Sequence, residues 1–356
     1  MKMVKKILKR YFIDAMGAMA QGLFASLLIG TIFKALGMIP KLEFLVEIGG
    51  YAQAMAGPAM AAAIAYSLKA HPLVIFSAAA VGHAANALGG AGGPLAVFFI
   101  AIAAVEIGML VSKKTKVDII VTPFITIIVG CGLAILVAPY IGEAVGYISD
   151  FIGWASLQAP FVASLIISVV IGVVLTLPIS SAAICAGLLL TGSYAVHASG
   201  NEGLAIAGAA AVAGCCAQMI GFAVISFREN KWGGLLSQGI GTSMLQMPNI
   251  IRHPQIWIAP TLASAITGPL AVCVFGLRMY GAAINSGMGT CGLLGPIGMI
   301  LGWFDKTNGY TADVTVLNWV GLILVCFILP AVLSFIINEI LRKIGLVKDG
   351  YMKLED

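Results

Sequence analysis

Apolar runs of about 20 residues recur along this chain, separated by short polar connections. Residues 12–36, 49–68, 117–141, 160–177, 179–197, 203–226, 255–277 and 316–341 each have the length and apolarity to cross a hydrocarbon core of roughly 30 Å as a helix. Polar residues do not fall at every second position, as a membrane-spanning barrel requires. The pattern therefore predicts an all-α polytopic membrane protein. Two further stretches, 72–112 and 281–304, are apolar arms around glycine-rich breaks, HAANALGGAGGP (83–94) and GMGTCGLLGP (287–296). The first reads as two spans or one re-entrant hairpin. The second has arms of about ten residues against the ~20 that a span needs, and reads as a hairpin. The stretch 232–250 begins and ends near basic residues and reads as re-entrant or interfacial. The expected architecture is about 8–10 transmembrane helices plus re-entrant glycine-rich hairpins, in a single transmembrane domain over 1–356.

Three signals recur in the same order in the two ends of the chain. AQGLFASLL (20–28) lines up with SQGIGTSML (237–245), AGPAMAAAIAYSL (56–68) with TGPLAVCVFGLRM (267–279), and HAANALGGAGGP with AAINSGMGTCGLLGP (282–296). These suggest a first repeat-like half (12–112), middle helices (117–226) and a second repeat-like half (232–341). Gly57-Pro58 and Gly268-Pro269 would lie on helices of opposite direction, the parity of an inverted repeat.

Composition agrees with the pattern: 60% of residues are hydrophobic, 10% are charged, and mean hydropathy is +1.03. The basic residues then set an orientation, because Lys and Arg in short loops stay on the cytoplasmic side. Threading the spans from a cytoplasmic N-terminus leaves only Lys34, Lys41, Arg278 and Lys306 outside, so sixteen of the twenty basic residues share one face. Both termini are expected there, and the net charge of +5 reads as a topology signal, not as a nucleic-acid footprint. The N-terminal apolar run is too long for the core of a cleavable signal and reads as a first span. The seven cysteines show no metal-ligand spacing with His and read as buried free thiols. No Walker A, GxSxG, HExxH or CxxC pattern occurs, so nothing calls for a cofactor or metal.

The candidate chemistry lies in the few polar residues inside apolar segments. Irregular backbone is tolerated at membrane depth only where protein buries it or where it lines a wet cavity, and such breaks in both halves of a chain point to a transporter's binding site. His83, Asn86, Gly89 and Gly90 flank or form the first break; Asn285, Gly289 and Thr290 belong to the second. Glu106 is the one carboxylate well inside an apolar segment, at an insertion cost of roughly 2.5–3.5 kcal/mol. It is expected to hold substrate hydroxyls, take up a proton, or pair with a nearby basic residue. Gln21, Gln53, Gln218, Gln238 and Gln246 bond solute hydroxyls or tie helices together. Ser180 and Ser181, after Leu177-Pro178, mark a possible further broken helix. His197, Asn201 and Glu202 read as a solvated external loop.

The basic N-terminus, the AQGLFASLLIGTIF opening span, the KKTKVDIIVTP loop and the paired segments GGAGGP and GTCGLLGP resemble the phosphotransferase-system enzyme IIC type 2 family. That family includes proteins named after a proposed regulator of perfringolysin O expression. The resemblance spans nearly the whole chain. It implies a permease of the bacterial plasma membrane, similar to sugar-translocating subunits that work as homodimers and offer a Glu and a His near the bound sugar, neither of which aligns to a fixed position here. No Cys falls in a predicted cytoplasmic loop, where a phosphocysteine would be needed, so separate cytoplasmic phosphotransferase proteins would have to carry the phosphoryl group. Three functions stand at this point. One is alternating-access transport of a small polar solute, a sugar or sugar derivative, across the lipid bilayer. The others are a membrane-embedded regulator or sensor, and an ion-coupled secondary transporter in which Glu106 takes the ion's charge.

Overall fold

The computed structural model describes residues 9–37, 42–177, 181–193, 201–304 and 314–354. Among these residues every regular element is helical and no strand occurs. The chain forms two compact units, one ending at Ile148 and the other beginning at Ser149.

The first unit holds α1 (Lys9–Lys34), α2 (Phe44–Ala54), α3 (Ala56–Ser67), α4 (Pro72–Leu88) and α5 (Gly93–Val111), and most of α6 (Asp118–Gln158). Its helices meet at glycines. A Cβ on Gly30 would lie 2.7 Å from the Gly49 carbonyl oxygen, and one on Gly22 would lie 2.6 Å from the Ala59 carbonyl carbon. Such close backbone approach is how helices associate where lipid removes the hydrophobic drive between them. The run 49–68, expected as one span, is two helices broken at Met55. Pro58 lacks an N–H and its ring would clash with the Ala54 carbonyl in a continuous helix, so the chain restarts with the proline in a first turn, where it is tolerated. The run 117–141 has the opposite fate. It continues as a helix of 41 residues, about 60 Å at 1.5 Å per residue and twice the hydrocarbon thickness.

The second unit contains α7 (Pro160–Thr176), α8 (Ser181–Gly187), α9 (Glu202–Ile225), α10 (Phe227–Leu236), α11 (Met247–Arg252), α12 (Pro254–Val274), α13 (Leu294–Phe304) and α14 (Val316–Lys343). The central post is α9, whose Ala- and Gly-rich sequence is apolar on every side and buried almost throughout. The span expected over 179–197 does not form. Only α8 is helical, and the chain then leaves the helix through Leu189, at φ 49°; residues 178–180 and 194–200, with Ser180 and His197, lie outside the described set. Among the described residues six helices, α1, α5, α6, α9, α12 and α14, are long and apolar enough to cross a membrane.

Within each unit several basic residues lie near one end, while Lys34 and Arg278 lie at the other. Arg10 at the start of α1 meets Glu106 near the end of α5, beside the Lys113, Lys114 and Lys116 loop. In the second unit Arg228 pairs with Glu339 at 3.0 Å and Arg342 with Glu229 at 2.8 Å, which puts the end of α9 beside the end of α14. Glu202 and Asn201, at the start of α9, occupy the opposite end. Both are exposed in part, as expected, but they begin a helix instead of lying in a loop: Asn201 caps α9 by accepting from the Leu204 N–H at 3.0 Å, and Glu202 accepts from Arg278 Nε and the Tyr280 hydroxyl.

Candidate functional site

The first glycine-rich break is a 3-10 turn, Gly90–Gly92, between α4 and α5. Asn86, half buried on the last turn of α4, folds under it. A Cβ on Gly93 would lie 2.6 Å from Asn86 Oδ1, and one on Gly57 would lie 2.7 Å from Asn86 Cβ. Gly89 is buried, its carbonyl against Gly142 of α6, and a Cβ on Gly92 would lie 3.0 Å from the Ile141 carbonyl oxygen. These glycines exist for close packing. Gly90 differs, being exposed at φ +49° with nothing within 4 Å of its absent Cβ. His83 is exposed on the turn of α4 before Asn86.

Glu106 is not part of that group. Thirteen residues separate it from Gly93 along α5, about 20 Å of helix. It accepts hydrogen bonds from Arg10 at 2.6 Å and from the Tyr11 hydroxyl at 2.8 Å, the pairing that was one of its three expected roles. The structure thus brings Asn86, Gly89 and Gly90 together, sets His83 one turn away, and puts Glu106 at the basic end of its unit.

In the second unit three interrupted segments converge: 181–193, 237–246 and 283–293. Leaving a helix frees carbonyls that lipid cannot satisfy, at a cost of several kcal/mol each. Hydroxyl side chains meet that need. Ser181 Oγ donates to the Gly287 carbonyl at 2.6 Å, Ser286 Oγ to Leu190 at 2.6 Å, Thr191 Oγ1 to Gly281 at 2.7 Å, and Thr290 Oγ1 to Gly239 at 2.6 Å. Ser181 is the first described residue after Leu177 and opens α8. Gly289, at φ +53°, presses on α9: its Cβ would lie 2.7 Å from the Cys215 carbonyl carbon and 2.8 Å from the Cys216 nitrogen. Asn285 is 1% exposed, and among the described residues its Oδ1 accepts no hydrogen bond. A buried amide oxygen without a donor is costly unless something else supplies one.

Several polar residues are occupied in holding helices together. Gln218, on α9, is fully buried; its Oε1 accepts from Trp257 Nε1 at 3.0 Å, and its Nε2 donates to Thr261 and Ser264 hydroxyls at 3.3 and 3.4 Å. Gln238 and Gln246 bond to each other at 2.9 Å. The cysteines are all free; Cys185, Cys215, Cys216 and Cys326 are buried, but Cys273 is exposed. Sequence reasoning read 232–250 as re-entrant or interfacial but did not join 237–246 to the two breaks, although SQGIGTS, rich in glycine and hydroxyl residues within an apolar context, carries the same signal.

Long apolar helices, with irregular segments buried against one another in the second unit, define a polytopic helical membrane protein. The sequence signature of the family described as Phosphotransferase system, EIIC, matches residues 13–354, and the chain belongs to that family. It is thus a membrane-embedded, multi-pass protein of a sugar-transport system, whose members act on sugars together with other phosphotransferase components. No curated protein matches the chain.

Proposed function

We propose that this protein is a permease for a small polar solute, a sugar or sugar derivative, working by alternating access around its glycine-rich breaks in the bacterial plasma membrane. The observation that carries this reading is Asn285: a buried amide oxygen without a donor among the described residues, at the meeting of three broken segments, is an acceptor ready for a solute hydroxyl. Within the first unit, Asn86, Gly90 and His83 at the break are proposed to meet solute, with Gly89 setting the close packing that places them; within the second, Gly289 and Thr290 hold the backbone that carries Asn285. Glu106 contributes as a charged group at the basic end, where a proton or ion would be exchanged. That end faces the cytoplasm, following the bias of Lys and Arg, and both termini lie there. The working form is a homodimer, and phosphoryl transfer, where it occurs, is done by separate cytoplasmic proteins.

The test is uptake of labelled sugars into proteoliposomes, with and without an ion gradient, for the wild type and Asn285→Ala. Wild type is expected to take up one class of sugar and to gain thermal stability from it. Asn285→Ala is expected to lose both effects while melting within a few degrees of wild type, since it removes an oxygen that has no partner among the described residues. An Asn285→Ala protein that still takes up and is stabilised by the same sugar removes the site. Uptake that appears only with an ion gradient assigns ion coupling. Stabilisation by a sugar without any uptake would favour a sensor.

A further inference from the structure

After α14 ends at Lys343 the chain turns back on itself, passing through Gly345 and Gly350 at φ +78° and +89°, and residues 344–354 lie along the segment 226–253. Side-chain amides hold this strap by its backbone. Asn230 Nδ2 donates to the Met352 carbonyl at 2.7 Å and its Oδ1 accepts from the Leu354 N–H at 2.8 Å. Gln246 Nε2 donates to the same Met352 carbonyl at 2.9 Å, and Asn249 Nδ2 to Lys353 at 2.9 Å. Met352 is fully buried, and the Tyr351 ring stacks on His253 at 3.7 Å. At the root of the strap Arg342 bridges Glu229 and Asp349.

The cradle is continuous with the broken segment of the proposed site. Gln246 Nε2, which holds the strap, also donates to Gln238 Oε1 at 2.9 Å, and Gln238 Nε2 reaches Ser226 Oγ at 2.8 Å. The next residue, Gly239, presents its carbonyl to Thr290, and Ser243 shares a hydrogen bond with Thr176 at 2.9 Å. Gln246 is fully buried and Asn249 is 7% exposed. Asn249 Nδ2 also donates to Gln246 Oε1 at 2.9 Å, so without the strap each amide keeps one partner but loses its second acceptor and its cover, which loosens the chain of amides that runs to Gln238. The strap is itself suited to release. Its sequence from 348, KDGYMKLED, is mainly polar, and a recess of about 410 Å³ lined by Met244, Leu245, Pro248, Asn249 and Leu354 leaves its far end loosely packed.

We propose that residues 344–354 are a latch. Docked, they fix the broken segment 237–246 against the hairpin 283–293; released, they free both, so that a partner which captures the strap controls opening on the face that carries it. The inference rests on reading those segments as the moving parts of a permease.

Hydrogen exchange of the full chain in nanodiscs tests the latch from both sides. Asn230→Ala/Asn249→Ala removes three strap bonds from the cradle, whereas Met352→Asp places a charge at the buried anchor and leaves the cradle intact. Both are expected to accelerate exchange by about tenfold or more in 237–246 and 283–293, as well as in 344–354, with α9 and the first unit unchanged. Acceleration in the strap alone overturns the proposal. So does acceleration that spreads through α9, since the strap would then be part of the common core. Exchange is read without solute, so linked exchange in a protein that takes up no sugar removes the permease reading and keeps the latch. Sugar uptake with unlinked exchange does the reverse.

Discussion

Two glycines with almost the same backbone conformation should respond very differently to one methyl group. Gly90 and Gly289 sit at φ +49° and +53°, in the left-handed region where an alanine costs about 1–2 kcal/mol. Part of that is offset because alanine also restricts the unfolded chain, by roughly 0.4–1 kcal/mol. At Gly90 nothing lies within 4 Å of the new carbon, so Gly90→Ala should cost on the order of 1 kcal/mol. At Gly289 the same carbon meets the backbone of α9 at Cys215 and Cys216, 2.7–2.8 Å away. That contact cannot be relieved by a rotamer change, because backbone of a buried helix must shift, and overpacking adds about 1–3 kcal/mol. With roughly 2–4 °C per kcal/mol for a body of this size, Gly90→Ala should melt a few degrees low and Gly289→Ala on the order of 10 °C low. Melting followed by tryptophan fluorescence in nanodiscs reads both. Equal melting points, or a larger loss at Gly90, would refute the assignment of Gly289 to packing and Gly90 to an open surface.

Glu106→Gln and Arg10→Ala should each change stability by about 1 kcal/mol or less, because the pair is 33% and 44% exposed. A fall in sugar uptake in Glu106→Gln without such a fall in Arg10→Ala would give the carboxylate a role of its own, whereas equal uptake in all three proteins leaves it as an anchor for α1. Glu229→Gln should destabilise by about 3 kcal/mol, since it leaves Arg342, 8% exposed, short of its buried partner, whereas Arg228→Ala at the more exposed pair should cost under about 1 kcal/mol; chemical denaturation of the two variants in one detergent compares them directly. Cysteines placed at Lys113 and Lys353 of a cysteine-free protein should resist a membrane-impermeant thiol reagent applied to intact cells, and labelling of either would reverse the proposed orientation.

The spans were readable because lipid imposes a length, and length is visible in a sequence. What length alone could not show is where a helix stops for local reasons. In 49–68 the decisive residue was Pro58, whose missing N–H matters only through the geometry of the preceding turn. In 117–141 the helix runs on through Pro123 and Pro139, and Glu143 and Asp150 lie on its exposed side and are tolerated as α6 continues. The broken segments were legible for a different reason. Backbone that leaves a helix inside a membrane must be satisfied by something, and the cheapest donors are hydroxyls a residue or two away from a glycine. Ser286, Thr191 and Thr290 each play that part beside a glycine, and a search for hydroxyl residues beside glycine within apolar runs would also tie SQGIGTS to the two breaks.

The strap left no such trace, and the reason bears on how regulation can be hidden in a membrane protein. Its recognition is by Asn230, Gln246 and Asn249 of backbone atoms more than 100 positions away. An amide that binds a peptide backbone asks nothing of the side chains it faces, so no complementary residue type appears at 344–354 to betray the pairing. Glu229 and Arg342 likewise read singly as ordinary residues at helix ends, and become a buried pair only once α9 and α14 are known to finish together. The same indifference to sequence would let another extended segment take the cradle in place of the strap, with the same carbonyl-to-amide bonds. A latch built this way can be displaced by any partner that offers backbone in the right register and a small apolar anchor where Met352 now sits. The affinity of such a partner would be set against the strap held in place by its own chain, so release should require either high local concentration or a second contact that the strap lacks.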